Sequence, residues 1–115
     1  MNIVTIQKSN PYIATVVLTS NGVPYDLTGK TVFFTVKLVN DITADDTAAL
    51  ITKNITVHVP PASNGVTTLS LSEVETNIAS GSYKGDFRVY QAGVIQANTR
   101  PFIVMIEEIV TRRII

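Results

Sequence analysis

Few side chains in this sequence can do chemistry, and they stand apart from one another. Its one histidine, His58, lies in Ile55-Thr56-Val57-His58-Val59, just before Pro60-Pro61. A nucleophilic triad needs a base beside a serine, threonine or cysteine. Alternation along a strand puts Ile55, Val57 and Val59 on one face and Thr56 and His58 on the other. His58 is therefore expected as an exposed side chain on the polar face, with no catalytic part. Zinc sites draw on several Cys, His or carboxylate ligands, and a cysteine-free chain with one histidine does not supply them conventionally. Asp41, Asp45 and Asp46 could converge on calcium. Their spacing lacks the glycine and terminal glutamate of an EF-hand loop, so a solvated acidic loop is the expectation. Glu73 and Glu75 suit a helix start, where negative charge is favourable. Glu107 and Glu108 are neighbours on a strand and point to opposite faces, unlike a glycosidase pair flanking a cleft. No glycine-rich phosphate loop is present. The Asn54-Ile55-Thr56 glycosylation match is read as chance, because no signal peptide precedes it. No metal, cofactor or catalytic residue is expected.

Stepping along the chain gives short strands separated by turn signals, the grammar of a sandwich or small barrel. Ile3 to Ile6 is the first. Tyr12 to Ser20 is the second, with Tyr12, Ala14, Val16 and Leu18 on one face. Asn21-Gly22 suits a tight turn with positive φ angles. The clearest run follows Asp26-Leu27-Thr28-Gly29 and spans Lys30 to about Val39. It sets Val32, Phe34, Val36 and Leu38 on one face and Thr31, Phe33, Thr35 and Lys37 on the other. Asn40 to Ala49 reads as a loop with room for a helical turn. Leu50 to Lys53 and Ile55 to Val59 read as one strand or two abutting ones, ended by the prolines. Asn64-Gly65 turns the chain, and Thr67, Leu69 and Leu71 then share a face. Ser72-Glu73-Val74-Glu75 matches a capping box, which predicts a short helix through Ile78 closed by Gly81. Tyr83, Gly85, Phe87 and Val89 alternate with Lys84, Asp86, Arg88 and Tyr90. Ala92-Gly93 turns into a last strand from about Asn98 to Val110, broken near Pro101. Within it Phe102-Ile103-Val104-Met105-Ile106 is apolar on both faces, as in a central strand or one whose outer face meets another subunit.

Composition bounds the function classes. The chain has 115 residues, 45% hydrophobic and 16% charged, with nine basic and nine acidic side chains and zero net charge. One domain over residues 1–115 is the expectation. No basic surplus points to nucleic acid, and no basic amphipathic stretch or long apolar span points to a membrane. Weak charge gives weak protection against self-association, which suits a protein that assembles.

The order of elements resembles the immunoglobulin-like N-terminal domain of siphophage baseplate upper proteins. The residues carrying the resemblance are Gly22 to Lys37, with Asp26-Leu27-Thr28-Gly29 before an alternating strand. An acidic loop follows, then Asn64 to Leu71 and Ser80 to Val89 with its Gly81-x-Tyr83-x-x-x-Phe87 element. The likeness runs from about Val4 to Ile109. It implies an all-β, immunoglobulin-like antiparallel β-sandwich with one short helix. Cysteine and tryptophan are both absent, so the intersheet disulfide and buried tryptophan of antibody domains are missing. It also implies a structural virion protein of the phage tail tip or baseplate, made in the bacterial host cytoplasm. Such a protein contacts other phage tail or baseplate proteins and copies of itself, without catalysis, cofactor, nucleic acid or membrane. The shoulder domain of phage receptor-binding proteins is a related sandwich. The sequence ends at Ile115 with no downstream helical stalk or receptor-binding head, a departure from the family that puts receptor binding by this chain in doubt and leaves open a small stand-alone tail accessory protein or a fragment of a longer one.

Interfaces favour Tyr, Phe and Met. The outward apolar side chains expected to make contacts are Phe33, Tyr90, Ile103 and Met105, with the tail Arg112-Arg113-Ile114-Ile115 as a further docking element. Cover by the chain's own loops is the competing reading. The alternative function is a carbohydrate-binding or adhesion module, which the lack of tryptophan disfavours.

Overall fold

The turn that opens the clearest strand is built by its own side chains. Asp26 Oδ1 accepts from the Thr28 amide at 2.9 Å and from the Thr28 hydroxyl at 2.7 Å. The Lys30 amide donates to the Leu27 carbonyl at 3.0 Å, and Gly29 takes the left-handed conformation that this closure requires. Leu27 is thereby driven into the core, where it is fully buried.

The computed structural model describes residues 3–43, 46–91, 94–99 and 102–108. Asp45, the Ala92-Gly93 turn, the break at Pro101, and the expected strand end and tail from Ile109 to Ile115 lie outside the described residues. The strands are β1 (Ile3–Gln7), β2 (Tyr12–Val17), β3 (Thr19–Ser20), β4 (Val23–Pro24), β5 (Thr31–Lys37), β6 (Ile51–Ile55), β7 (Val66–Leu71), β8 (Gly81–Gln91), β9 (Val94–Asn98) and β10 (Phe102–Glu107). The large sheet has the order β1-β10-β8-β5-β6, with β9 also on β8. The β2-β7 pair forms the small sheet, and β3-β4 is a hairpin. Asn21 and Gly22 both have positive φ, the geometry of a two-residue hairpin turn.

The fold is all-β, as expected. One buried cluster joins the layers: Ile6, Val32, Phe34, Val36, Val104 and Ile106 from the large sheet, and Leu69 and Leu71 from the small one. Phe34, Phe87 and Phe102 pack their rings at centroid distances of 5.1, 5.7 and 6.3 Å. Gly85 makes room for this packing. A Cβ there would lie 2.9 Å from Val104 Cγ2 and 3.2 Å from the Thr35 carbonyl oxygen.

Several expectations need correction. The pairing is not antiparallel throughout: β1 and β10 are parallel, with Ile3 beside Ile103 and Gln7 beside Glu107. The Tyr12 to Ser20 run divides into β2 and β3. The last strand, expected from about Asn98, begins at Phe102 as β10, and the residues before it form an unexpected strand, β9, that pairs antiparallel with β8. The expected short helix is a single turn. Its capping box does form, with the Ser72 amide donating to Glu75 Oε1 at 2.9 Å and the Glu75 amide donating to Ser72 Oγ at 3.2 Å. The α-helical bonding ends at Thr76, after which the Asn77 amide donates to the Val74 carbonyl at 3.2 Å and the Ile78 amide to the Thr76 carbonyl at 2.9 Å. The fully buried Thr76 hydroxyl donates to the Asn10 carbonyl at 2.8 Å, tying the turn to the entry of β2. The region 39–48 holds two short 3-10 turns, Val39–Asp41 and Asp46–Ala48.

Candidate functional site

The outer face of the large sheet holds all four residues singled out by sequence. Phe33 on β5 and Tyr90 on β8 meet edge to face, with ring centroids 4.6 Å apart and planes at 73°. The Arg88 guanidinium lies 6.0 Å from the Tyr90 ring centre and donates to the Tyr90 hydroxyl at 3.4 Å. Ile103 and Met105 sit on β10 beside Lys84 and Ser82 of β8, and the Ser82 hydroxyl donates to Met105 Sδ. All four are half-buried. The structure thus groups them as two pairs. Between the pairs run Lys84, Asp86 and Arg88 of β8 and Thr35 and Lys37 of β5. At about 3.3 Å per residue, the charged stretch of β8 is about 13 Å long. The face has apolar corners and a polar middle.

His58 is not the exposed side chain that alternation predicts. It is half-buried, with Nε2 2.7 Å from the Lys30 carbonyl oxygen and Nδ1 2.9 Å from Thr67 Oγ1. A carbonyl only accepts, so Nε2 carries the proton toward Lys30. The ring links the start of β5 to β7 as a structural staple. The inversion has a simple cause. After β6 the chain leaves the large sheet and pairs His58 with Thr67 on the small one, which resets inside and outside. Val57 and Val59 consequently face solvent, at 82% and 41% exposure.

These valines join Ile13 and Val17 of β2, 72% and 59% exposed, on the outer face of the small sheet. Sequence reasoning missed this surface. The signal was present: Ile13-x-Thr15-x-Val17 makes β2 apolar on both faces, like Phe102 to Ile106.

Two carboxylates are held below their ordinary range. Asp26 is lowered by its hydrogen bonds from the Thr28 hydroxyl and amide, with help from Lys30. Glu75 is lowered chiefly by the Ser72 amide, and further by the Lys53 ammonium 3.0 Å away. Both groups hold turns together. Among the described residues no cluster of three or more His, Cys, Asp or Glu is placed to hold a metal ion. Of the tyrosines, Tyr25 has the Lys30 ammonium 4.6 Å from its ring centre, and Tyr83 is buried with its hydroxyl donated to the Ala79 carbonyl.

A family model described as the BppU N-terminal domain matches residues 5–114. The chain belongs to that family, the N-terminal domains of phage baseplate upper proteins. The N-terminal domain of phage TP901-1 ORF48 shares the fold, with a TM-score of 0.65 at 18% identity over 92% of this chain and 85% of that one. No curated protein matches the sequence. As a BppU N-terminal domain, the chain carries the Asp26-to-Gly29 turn and the β8 alternation on which the resemblance was drawn, and both are well-formed structural elements.

Proposed function

We propose that this chain is a structural component of the phage tail baseplate, acting as one folded unit through protein–protein contact and without catalysis. Membership of the BppU N-terminal domain family over residues 5–114 carries the reading. The outer face of the large sheet supports it: Phe33 with Tyr90 at one end and Ile103 with Met105 at the other are half-buried side chains that a partner would finish covering. Neighbouring baseplate proteins and further copies of the chain are the partners, in the virion. Zero net charge gives no drive toward nucleic acid or an anionic membrane.

Antibody labelling of intact virions tests the reading. Label is expected at the tail tip. Virions from a strain carrying Phe33→Ser with Ile103→Ser are expected to lose the label, while the purified variant keeps its strand signal in circular dichroism. A chain found in the lysate but absent from purified tails would remove the structural reading. Undiminished incorporation of the variant would remove this face from it.

A further inference from the structure

The small sheet ends in an open edge, and its chemistry specifies an occupant. The β2–β7 register pairs Tyr12 with Leu71, Ala14 with Leu69 and Val16 with Thr67. On the far side of β7, the Val59 amide donates to the Val66 carbonyl at 3.0 Å. Backbone groups alternate in direction along an antiparallel strand. Val66, Thr68 and Ser70 therefore turn toward Val57 and Val59, and Thr67, Leu69 and Leu71 turn toward β2. On β2 the even positions bond to β7, consistent with the Leu18 amide reaching the Gly65 carbonyl at 2.8 Å. The amides and carbonyls of Ile13, Thr15 and Val17 face the other way, and among the described residues they have no partner.

Edge strands are usually guarded by a charge, a proline or a bulge. The edge strand β6 has Lys53 in an inward position, and β1 turns the polar Thr5 and Gln7 outward. On β2 the outward residues are Ile13 and Val17, and no charged residue occurs between Lys8 and Asp26. The pattern is also self-complementary. A two-fold axis at Thr15 sets Thr15 opposite its own copy and Ile13 opposite Val17 of that copy. The three outward residues then form the hydrogen-bonded pairs of an antiparallel ladder, and each exposed apolar side chain gains an apolar partner. A chain with zero net charge has no overall repulsion to overcome.

We infer that β2 is a strand-addition edge whose occupant is β2 of a second copy, paired antiparallel about Thr15 to join two small sheets into one continuous sheet. The surface is distinct from the large-sheet face, so its test and that of the proposed function fail separately.

The full chain in light scattering is expected to give twice the 12.5 kDa mass of one copy as concentration rises. Ile13→Lys with Val17→Lys opposes like charges across the axis and is expected to abolish the dimer. Ile13→Lys with Val17→Glu opposes unlike charges and is expected to restore it. Both positions are solvent-exposed, so circular dichroism should stay unchanged. The chain has no cysteine, which permits a second reading. Hydrogen-bonded partners lie about 5.5 Å apart in Cα, within the disulfide range of about 4.4–6.8 Å. Thr15→Cys is expected to cross-link on oxidation, whereas Thr68→Cys, exposed one strand away, is not. A monomer at all concentrations, equal cross-linking by the two variants, or a dimer indifferent to the lysines would each overturn the inference, including the case in which a different protein's strand takes this edge.

Discussion

Phe33 and Phe34 are neighbours in sequence and project from opposite faces of β5. Phe34 is 1% exposed and packs on Phe87 and Phe102. Its truncation to alanine leaves a cavity among aromatic rings and is expected to cost about 3–5 kcal/mol. Phe33 touches Tyr90 across the outer face, and an aromatic pair of this kind adds about 0.5–1.5 kcal/mol beyond its buried area. Phe33→Ala should therefore cost the isolated chain far less than Phe34→Ala in urea denaturation. Equal large losses would mean that Phe33 belongs to the core. A comparable contrast holds at Gly65, whose φ of 71° lies in the left-handed region. A Cβ there would come 2.5 Å from the Leu18 carbonyl oxygen and 2.8 Å from that of Tyr25, so the glycine is needed for space as well as conformation.

Among the elements, the 72–76 turn couples stability to pH. Glu75 titrates below its ordinary 4.5 in the folded chain. A depressed carboxylate stabilises the fold fully above the unfolded value and loses that contribution as pH falls through the folded one. The Lys53 pair, being partly exposed, adds about 0.2–1 kcal/mol. Glu75→Gln should lower the urea midpoint at about pH 7, and the gap from the unsubstituted chain should narrow as pH falls below 4.5 and through the lower folded value. A gap that persists in acid would mean that the carboxylate charge is not what matters. The same turn shows where sequence legibility stops. The Ser72–Glu75 capping box is written in residue types and forms as written. The helix it announces does not follow: past Thr76 the backbone bonds shorten to Asn77 on Val74 and Ile78 on Thr76, and the turn is tied instead through the Thr76 hydroxyl to Asn10, a partner 66 positions away that no local pattern shows. Alternation was readable in β5, β7 and β8, each of which stays in one sheet. It failed at His58, where the chain changes sheets and the count of two restarts. Of the contact surface, Phe33, Tyr90, Ile103 and Met105 were legible as outward apolar residues. Ile13 and Val17 were not, because Tyr12, Ala14 and Val16 already supply the strand's inward face, and residue type alone does not tell an open apolar face from a covered one.

Over the whole molecule, sequence-distant pairings dominate. β8 links to β5, β9 and β10, and the parallel seam pairs positions one hundred residues apart, Ile3 with Ile103 through Gln7 with Glu107. Domains built from such non-local contacts fold in about milliseconds to seconds, slowly for their size. Stopped-flow refolding from urea should give a main phase in that range, and a microsecond phase would contradict the topology. The parallel seam has a further consequence during translation. Ile6, fully buried in the finished fold, is made one hundred residues before its neighbour Ile106. The nascent β1 must stay unpaired until the one hundred residues that separate it from its β10 partners have been made, and its apolar side chains are uncovered for that interval.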